Sequence, residues 1–145
     1  LDVSIQAQLI NLIFKLKKDF QLSIIFISHD LSVVDRLADR IAVMYYGEIV
    51  EIGDKKDIIY NPKHPYTEAL LSAVPIHNSE SSLKNIQLKG ELPSPHNSIG
   101  GCIFSNRCIY SQDVCKKEKP ELKKIKNINH IYSCHLDQNL KGINI

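Results

Sequence analysis

Four cysteines and one histidine are the residues of this chain whose types and spacing could do chemistry. Cys102, Cys108, Cys115 and Cys134 follow the pattern C-x5-C-x6-C-x18-C. Four thiols so spaced can pair as disulfides in an oxidising compartment or bind metal as thiolates. Structural zinc favours C-x2–4-C knuckles, and no such pair occurs. A cubane [4Fe–4S] cluster is larger than one zinc ion and suits longer loops, yet the spacing matches neither common ferredoxin pattern. Spacing alone gives four-thiolate metal binding and leaves the metal open. The histidine, His29, stands in Ser28-His29-Asp30, directly after the apolar run Leu22–Ile27 (LSIIFI). An imidazole can place a ring nitrogen on a phosphate oxygen or a water near neutral pH. Taken alone, a histidine there more often belongs to a capping loop and bonds backbone.

The elements around these residues follow from hydrophobic period and capping. The run at 22–27 has no Gly or Pro and predicts a strand buried on both faces of a parallel sheet. Ligands of such sheets bind beyond the carboxyl ends of the strands, where His29 sits. Asp2 can cap a helix over Val3–Asp19, with Ile5, Leu9, Leu12, Ile13, Leu16 and Phe20 as one stripe facing the sheet. Lys15, Lys17 and Lys18 suit the negative end of its dipole. A second helix over Leu31–Ala38 would turn Leu31, Val34, Leu37 and Ala38 inward. Arg40–Tyr46 and Glu48–Ile52 read as a hairpin around Gly47. Asp54 can cap a short helix that ends at Asn61-Pro62. Pro65 opens another, Tyr66–Ala73, whose inner face carries Tyr66, Leu70 and Leu71. From Val74 to Gly101 prolines, serines and asparagines cluster without a period, which predicts a linker or loop-rich segment.

The stretch IIFISHDLSVVDRLADRIAVMYYGEIVEIG, Ile24 to Gly53, resembles the switch-histidine segment of the ATP-binding subunits of ABC transporters. Leu1-Asp2 resembles the end of that family's D-loop. The resemblance implies that His29 contacts the γ-phosphate and holds the attacking water. It places Asp2 at the seam with a second ATPase subunit, and ATP with Mg2+ as the cofactor of the complete subunit. NPKHPYTEALLSAVP, Asn61 to Pro75, narrows the resemblance to the subunits for oligopeptide, dipeptide and nickel import. Its His64-Pro65-Tyr66-Thr67 reads as packing, not catalysis. GCIFSNRCIYSQDVCKKEKPEL…HIYSCHL, Gly101 to Leu136, resembles the tail of the peptide importers, in which the cysteines ligate a [4Fe–4S] cluster. Zinc stays as the alternative, and a subunit facing the reducing cytosol argues against disulfides. The departure is Ile109, where a proline commonly follows the second cysteine. His130 and His135 are expected beside the ligands or on the surface.

Equally informative is what the residues lack. No G-x-x-x-x-G-K-[ST] occurs, and the six glycines are scattered, so the chain has no cradle for phosphates. It reads as the C-terminal part of a longer polypeptide that should not hydrolyse ATP alone. The expected fold is α/β: residues 1–75 as the C-terminal part of an ABC-type P-loop ATPase domain, and 76–145 as a small irregular Cys-rich metal-binding extension. Expected partners are a second ABC ATPase, two transmembrane permease subunits and, indirectly, an extracytoplasmic peptide-binding protein, at the cytoplasmic face of the membrane. Lys89-Gly90-Glu91-Leu92-Pro93-Ser94-Pro95 leans towards the F-type subunit of such transporters. A net charge of +2 is too mild to argue nucleic acid or a lipid surface. No stretch approaches the roughly 18 apolar residues of a membrane span. The competing reading is a metal-binding interaction module with no transport role.

Overall fold

The computed structural model describes residues 3–73, 86, 88 and 100–136. They fall into two compact units, Leu1–Asp39 and Arg40–Ile145. The division lies at 39/40, while the change in composition lies near 75.

In the first unit, α1 (Val3–Asp19) has the predicted bounds and carries Lys17 and Lys18 in its last turn. Asp2, its expected cap, lies outside the described residues. The apolar stripe is present but uncovered: Ile10 is buried, whereas Ile5, Leu9, Leu12, Leu16 and Phe20 are exposed. The predicted strand at 22–27 does not form. Ile25 is 95 % and Ile27 88 % exposed. A central strand needs paired backbone on both edges, and no strand among the described residues pairs with this run. α2 (Leu31–Leu37) follows and buries Val33. Asp39 pairs with Lys17 at 2.5 Å, tying the end of this unit back to α1.

The second unit is built on an antiparallel sheet of order β1-β2-β4-β3; the parallel sheet expected around 22–27 has no counterpart among the described residues. β1 (Arg40–Tyr45) and β2 (Glu48–Asp54) form the predicted hairpin. Tyr46 and Gly47 both take positive φ, 49° and 84°, as a two-residue hairpin turn matched to strand twist requires. α3 (Lys55–Tyr60) and α4 (Pro65–Ser72) follow at the expected places. The 74–101 linker lies largely outside the described residues. Beyond it come α5 (Asp113–Lys117), β3 (Leu122–Lys124) and β4 (Ile131–Ser133). β4 returns to β2, with Glu51 opposite Tyr132 and Ile52 opposite Ile131. The core centres on Phe104, whose ring meets Tyr45 edge-on at 5.1 Å and Tyr66 at 5.4 Å. Among the described residues no helix is long and apolar enough to cross a membrane.

Candidate functional site

His29 owes its position to its two neighbours. Asp30 caps α2, its carboxylate accepting from Ser32 N at 2.9 Å and Val33 N at 3.4 Å. Asp30 N in turn donates to Ser28 Oγ at 3.0 Å. Both polar neighbours are thus spent on local backbone, and His29 itself is exposed. An exposed imidazole on a capped turn can reach a phosphate oxygen or water without unmaking internal bonds. The partner position, Asp2, lies outside the described residues, so no geometry joins the two.

The second unit carries all four cysteines. All four are free thiols; Cys102, Cys115 and Cys134 are buried and Cys108 is half-buried. Burial pushes the Cys108 thiol up to about 11, with Cys134, Cys102 and Cys115 adding to the rise. Cys134 is likewise raised, by burial first and then by Cys102 and Cys115. Burial also raises Cys102, and Cys115 adds to it. The thiols therefore lie within electrostatic reach of one another. Backbone brings two of them together: Cys102 N donates to Cys115 O at 2.7 Å. Gly101 makes this approach possible, since a Cβ there would sit 2.3 Å from the Cys115 carbonyl oxygen. Among the described residues, however, no three His, Cys, Asp or Glu side chains are arranged to hold a metal ion. The expected metal-binding character of the extension is therefore not established by this arrangement.

One buried group was not legible as a site residue. Glu51 is fully buried, and its carboxylate accepts from Lys63 N at 2.6 Å and His64 N at 3.0 Å. His130 Nε2 completes the set at 2.6 Å from Glu51 Oε1, with His130 also fully buried. The expectation that His130 lies beside the thiols or on the surface misses this role. Glu51 reaches the interior because the β1–β2 register slips between Val43 and Met44. The slip makes Val50 and Glu51 consecutive buried residues, where plain alternation would turn one outward. His64 acts as the N-cap of α4, its Nδ1 accepting from Tyr66 N at 3.1 Å. Burial lowers its pKa to about 4, partly offset by the charge of Glu51. That agrees with a packing role for the His-Pro-Tyr-Thr stretch. His135, by contrast, donates from Nε2 to the Glu118 carbonyl at 2.8 Å at the exposed edge of the tail.

Comparison with known proteins bears on both units. Residues 50–115 match the family described as the oligopeptide/dipeptide transporter, C-terminal region. The oligopeptide transport ATP-binding protein AppF of Bacillus subtilis (strain 168) is 50% identical over 138 residues, which is 94% of this chain and 42% of that protein. OppF of Escherichia coli (strain K12), an oligopeptide transport ATP-binding protein, is 48% identical over 136 residues, 92% of this chain and 40% of its own length. The dipeptide transport ATP-binding protein DppF of the same strain is 50% identical over 123 residues, 85% of this chain and 37% of its own. The chain spans about two-fifths of the length of these curated relatives.

Proposed function

We propose that this chain, which belongs to the family of oligopeptide and dipeptide transport ATP-binding proteins, works as part of an ATP-hydrolysing subunit that energises peptide uptake. The observation that carries the proposal is identity near one half, over 94% of the chain, to an oligopeptide transport ATP-binding protein. The alternative, a metal-binding module without a transport role, would not require likeness through the first unit.

In this reading residues 1–75 continue the nucleotide-binding domain and 76–145 form its extension. ATP with Mg2+ is the nucleotide of the complete subunit, and its phosphates are cradled by residues outside these 145, since no G-x-x-x-x-G-K-[ST] occurs among them. His29 would donate to, or accept from, the group at the γ-phosphate and hold the attacking water in line. Its exposure and the capped turn beneath it support that role. Asp2 would face the second ATPase subunit across the seam. Two permease subunits would carry the peptide, with a peptide-binding protein delivering it, and the assembly would sit at the cytoplasmic face of the membrane. The direct test is uptake of a labelled oligopeptide by cells lacking their own subunit and given the complete one. Restored uptake with the wild type and none with His29→Ala is expected. Uptake unchanged by the complete wild-type subunit would contradict the proposal.

For the extension, we take the four thiols as the ligands of a [4Fe–4S] cluster, with zinc as the alternative. Four free cysteines in one unit, three of them buried, and the resemblance of the tail to that of the peptide importers support a thiolate site. Bound there, the cluster would supply cross-links between segments that have few large apolar residues of their own. Protein prepared without oxygen should hold about four irons per chain. One zinc per chain would keep the ligands and overturn the iron; thiols that stay free in anaerobic, folded protein would overturn both.

A further inference from the structure

The three cysteines at 102, 108 and 115 and the fourth at 134 are held in different ways. The first three lie on one segment knitted by its own backbone. Cys102 N bonds Cys115 O, Ser105 N bonds Cys102 O, Ser111 N bonds Cys108 O at 3.2 Å, and Cys115 N bonds Gln112 O. Cys134 arrives from elsewhere, on the residue directly after β4. Its distance from the other three depends on what fixes β4 to the rest of the unit.

The Glu51 carboxylate does so from both sides. Through Oε2 it holds His64 N, and the His64 ring lies 5.7 Å from Phe104, two residues beyond Cys102. Through Oε1 it holds His130 Nε2, one residue before β4 and four before Cys134. The His130 carbonyl also accepts from Ile125 N at 2.9 Å, closing the loop between β3 and β4. Room for the ring is provided by Gly53, where a Cβ would lie 3.3 Å from His130 Cδ2 and Cγ. The contact is fully enclosed, so water cannot replace it if it is broken. A part-buried contact also touches this segment, Ser133 Oγ donating to the Pro120 carbonyl at 2.9 Å. That bond joins β4 to the neighbouring turn of the tail. The β2–β4 ladder joins the strand to the hairpin at Glu51–Tyr132 and Ile52–Ile131, and the buried pair pins the residue that enters it.

We propose that Glu51 and His130 are positioning residues for the four-thiol site, setting Cys134 against Cys102, Cys108 and Cys115 through the hairpin earlier in the chain. The pair touches no ligand sulfur; it acts by fixing the strand from which the fourth sulfur projects.

The test uses the full chain as wild type, His130→Leu, His130→Gln and Glu51→Gln. In metal-free protein, the rate at which iodoacetamide labels each cysteine is read by peptide mass spectrometry. His130→Leu should speed Cys134 about tenfold through local opening while Cys102 and Cys115 change little. His130→Gln keeps an N–H to offer Glu51 and should restore most of the protection. A uniform rise at all four cysteines, or no rise at Cys134, would overturn the proposal. Should His130→Leu fail to fold, Glu51→Gln decides by the same pattern, since it keeps the shape and loses the charge. A second readout, iron bound per chain after anaerobic reconstitution, rests on the cluster reading and should fall in His130→Leu and recover in His130→Gln. If wild-type protein takes up no iron, that reading fails, while the labelling pattern still decides this one.

Discussion

Among the described residues of Leu1–Asp39 large apolar side chains face solvent along α1 and through 22–27, with Ile10 and Val33 as the buried exceptions. In Arg40–Ile145 the same kinds of side chain close on one another: Val43, Tyr45, Val50, Ile58, Leu71 and Phe104 are all buried. The contrast extends to the candidate sites. His29 stands exposed on a capped turn. The four cysteines have each other, a core beneath them and the buried Glu51–His130 pair between their segments. The first unit thus offers one exposed group; the second encloses its thiols.

Substitutions should separate the two regions by size of effect. Phe104→Ala removes the ring on which Tyr45, Tyr66 and His64 converge, and should cost about 3–5 kcal/mol in urea denaturation. Loss well under that range would mean that the second unit is not organised round this ring.

The next effect is one of pH. Folded His64 titrates near 4 against an ordinary value of 6.5, because it is buried as a neutral cap. The unfolded chain therefore takes up the proton first as pH falls. This contribution to stability is whole above about pH 6.5 and is lost on the way down to pH 4, in all about 3 kcal/mol. His64→Asn can still cap α4 and should flatten this part of the stability–pH curve relative to wild type. An unchanged slope would remove His64 as its source.

Smaller effects belong to the first unit. Asp30→Ala deletes the cap of α2 and should cost about 1 kcal/mol, read as lost helix signal over 31–37. Ile25→Ser, at a side chain already in solvent, should change the stability of this chain by no more than about 0.5 kcal/mol. A cost near that of Phe104→Ala would show that the 22–27 run is covered, and the comparison would fail.

Legibility in the sequence followed the same division. The hairpin, α3 and α4 were readable because Gly47, Pro62 and Pro65 punctuate them locally. The cysteines declared themselves by type. Leu22–Ile27 was misread because an apolar run specifies what a strand would bury, not whether a partner strand is at hand. Glu51 was hidden by the register slip, which breaks the two-residue period that would have marked it as inward-facing. His130 was hidden because its partner lies 79 residues away. β3 and β4, three residues each, are too short for any period to appear.

The central claim is that His29 serves ATP hydrolysis in a peptide-transport ATPase, and ATP turnover by the complete subunit tests it most directly. With His29→Ala, turnover should fall roughly 100-fold while ATP still binds, as loss of a contact made in the transition state requires. Turnover near the wild-type rate would contradict the claim and leave His29 a surface residue of the turn before α2.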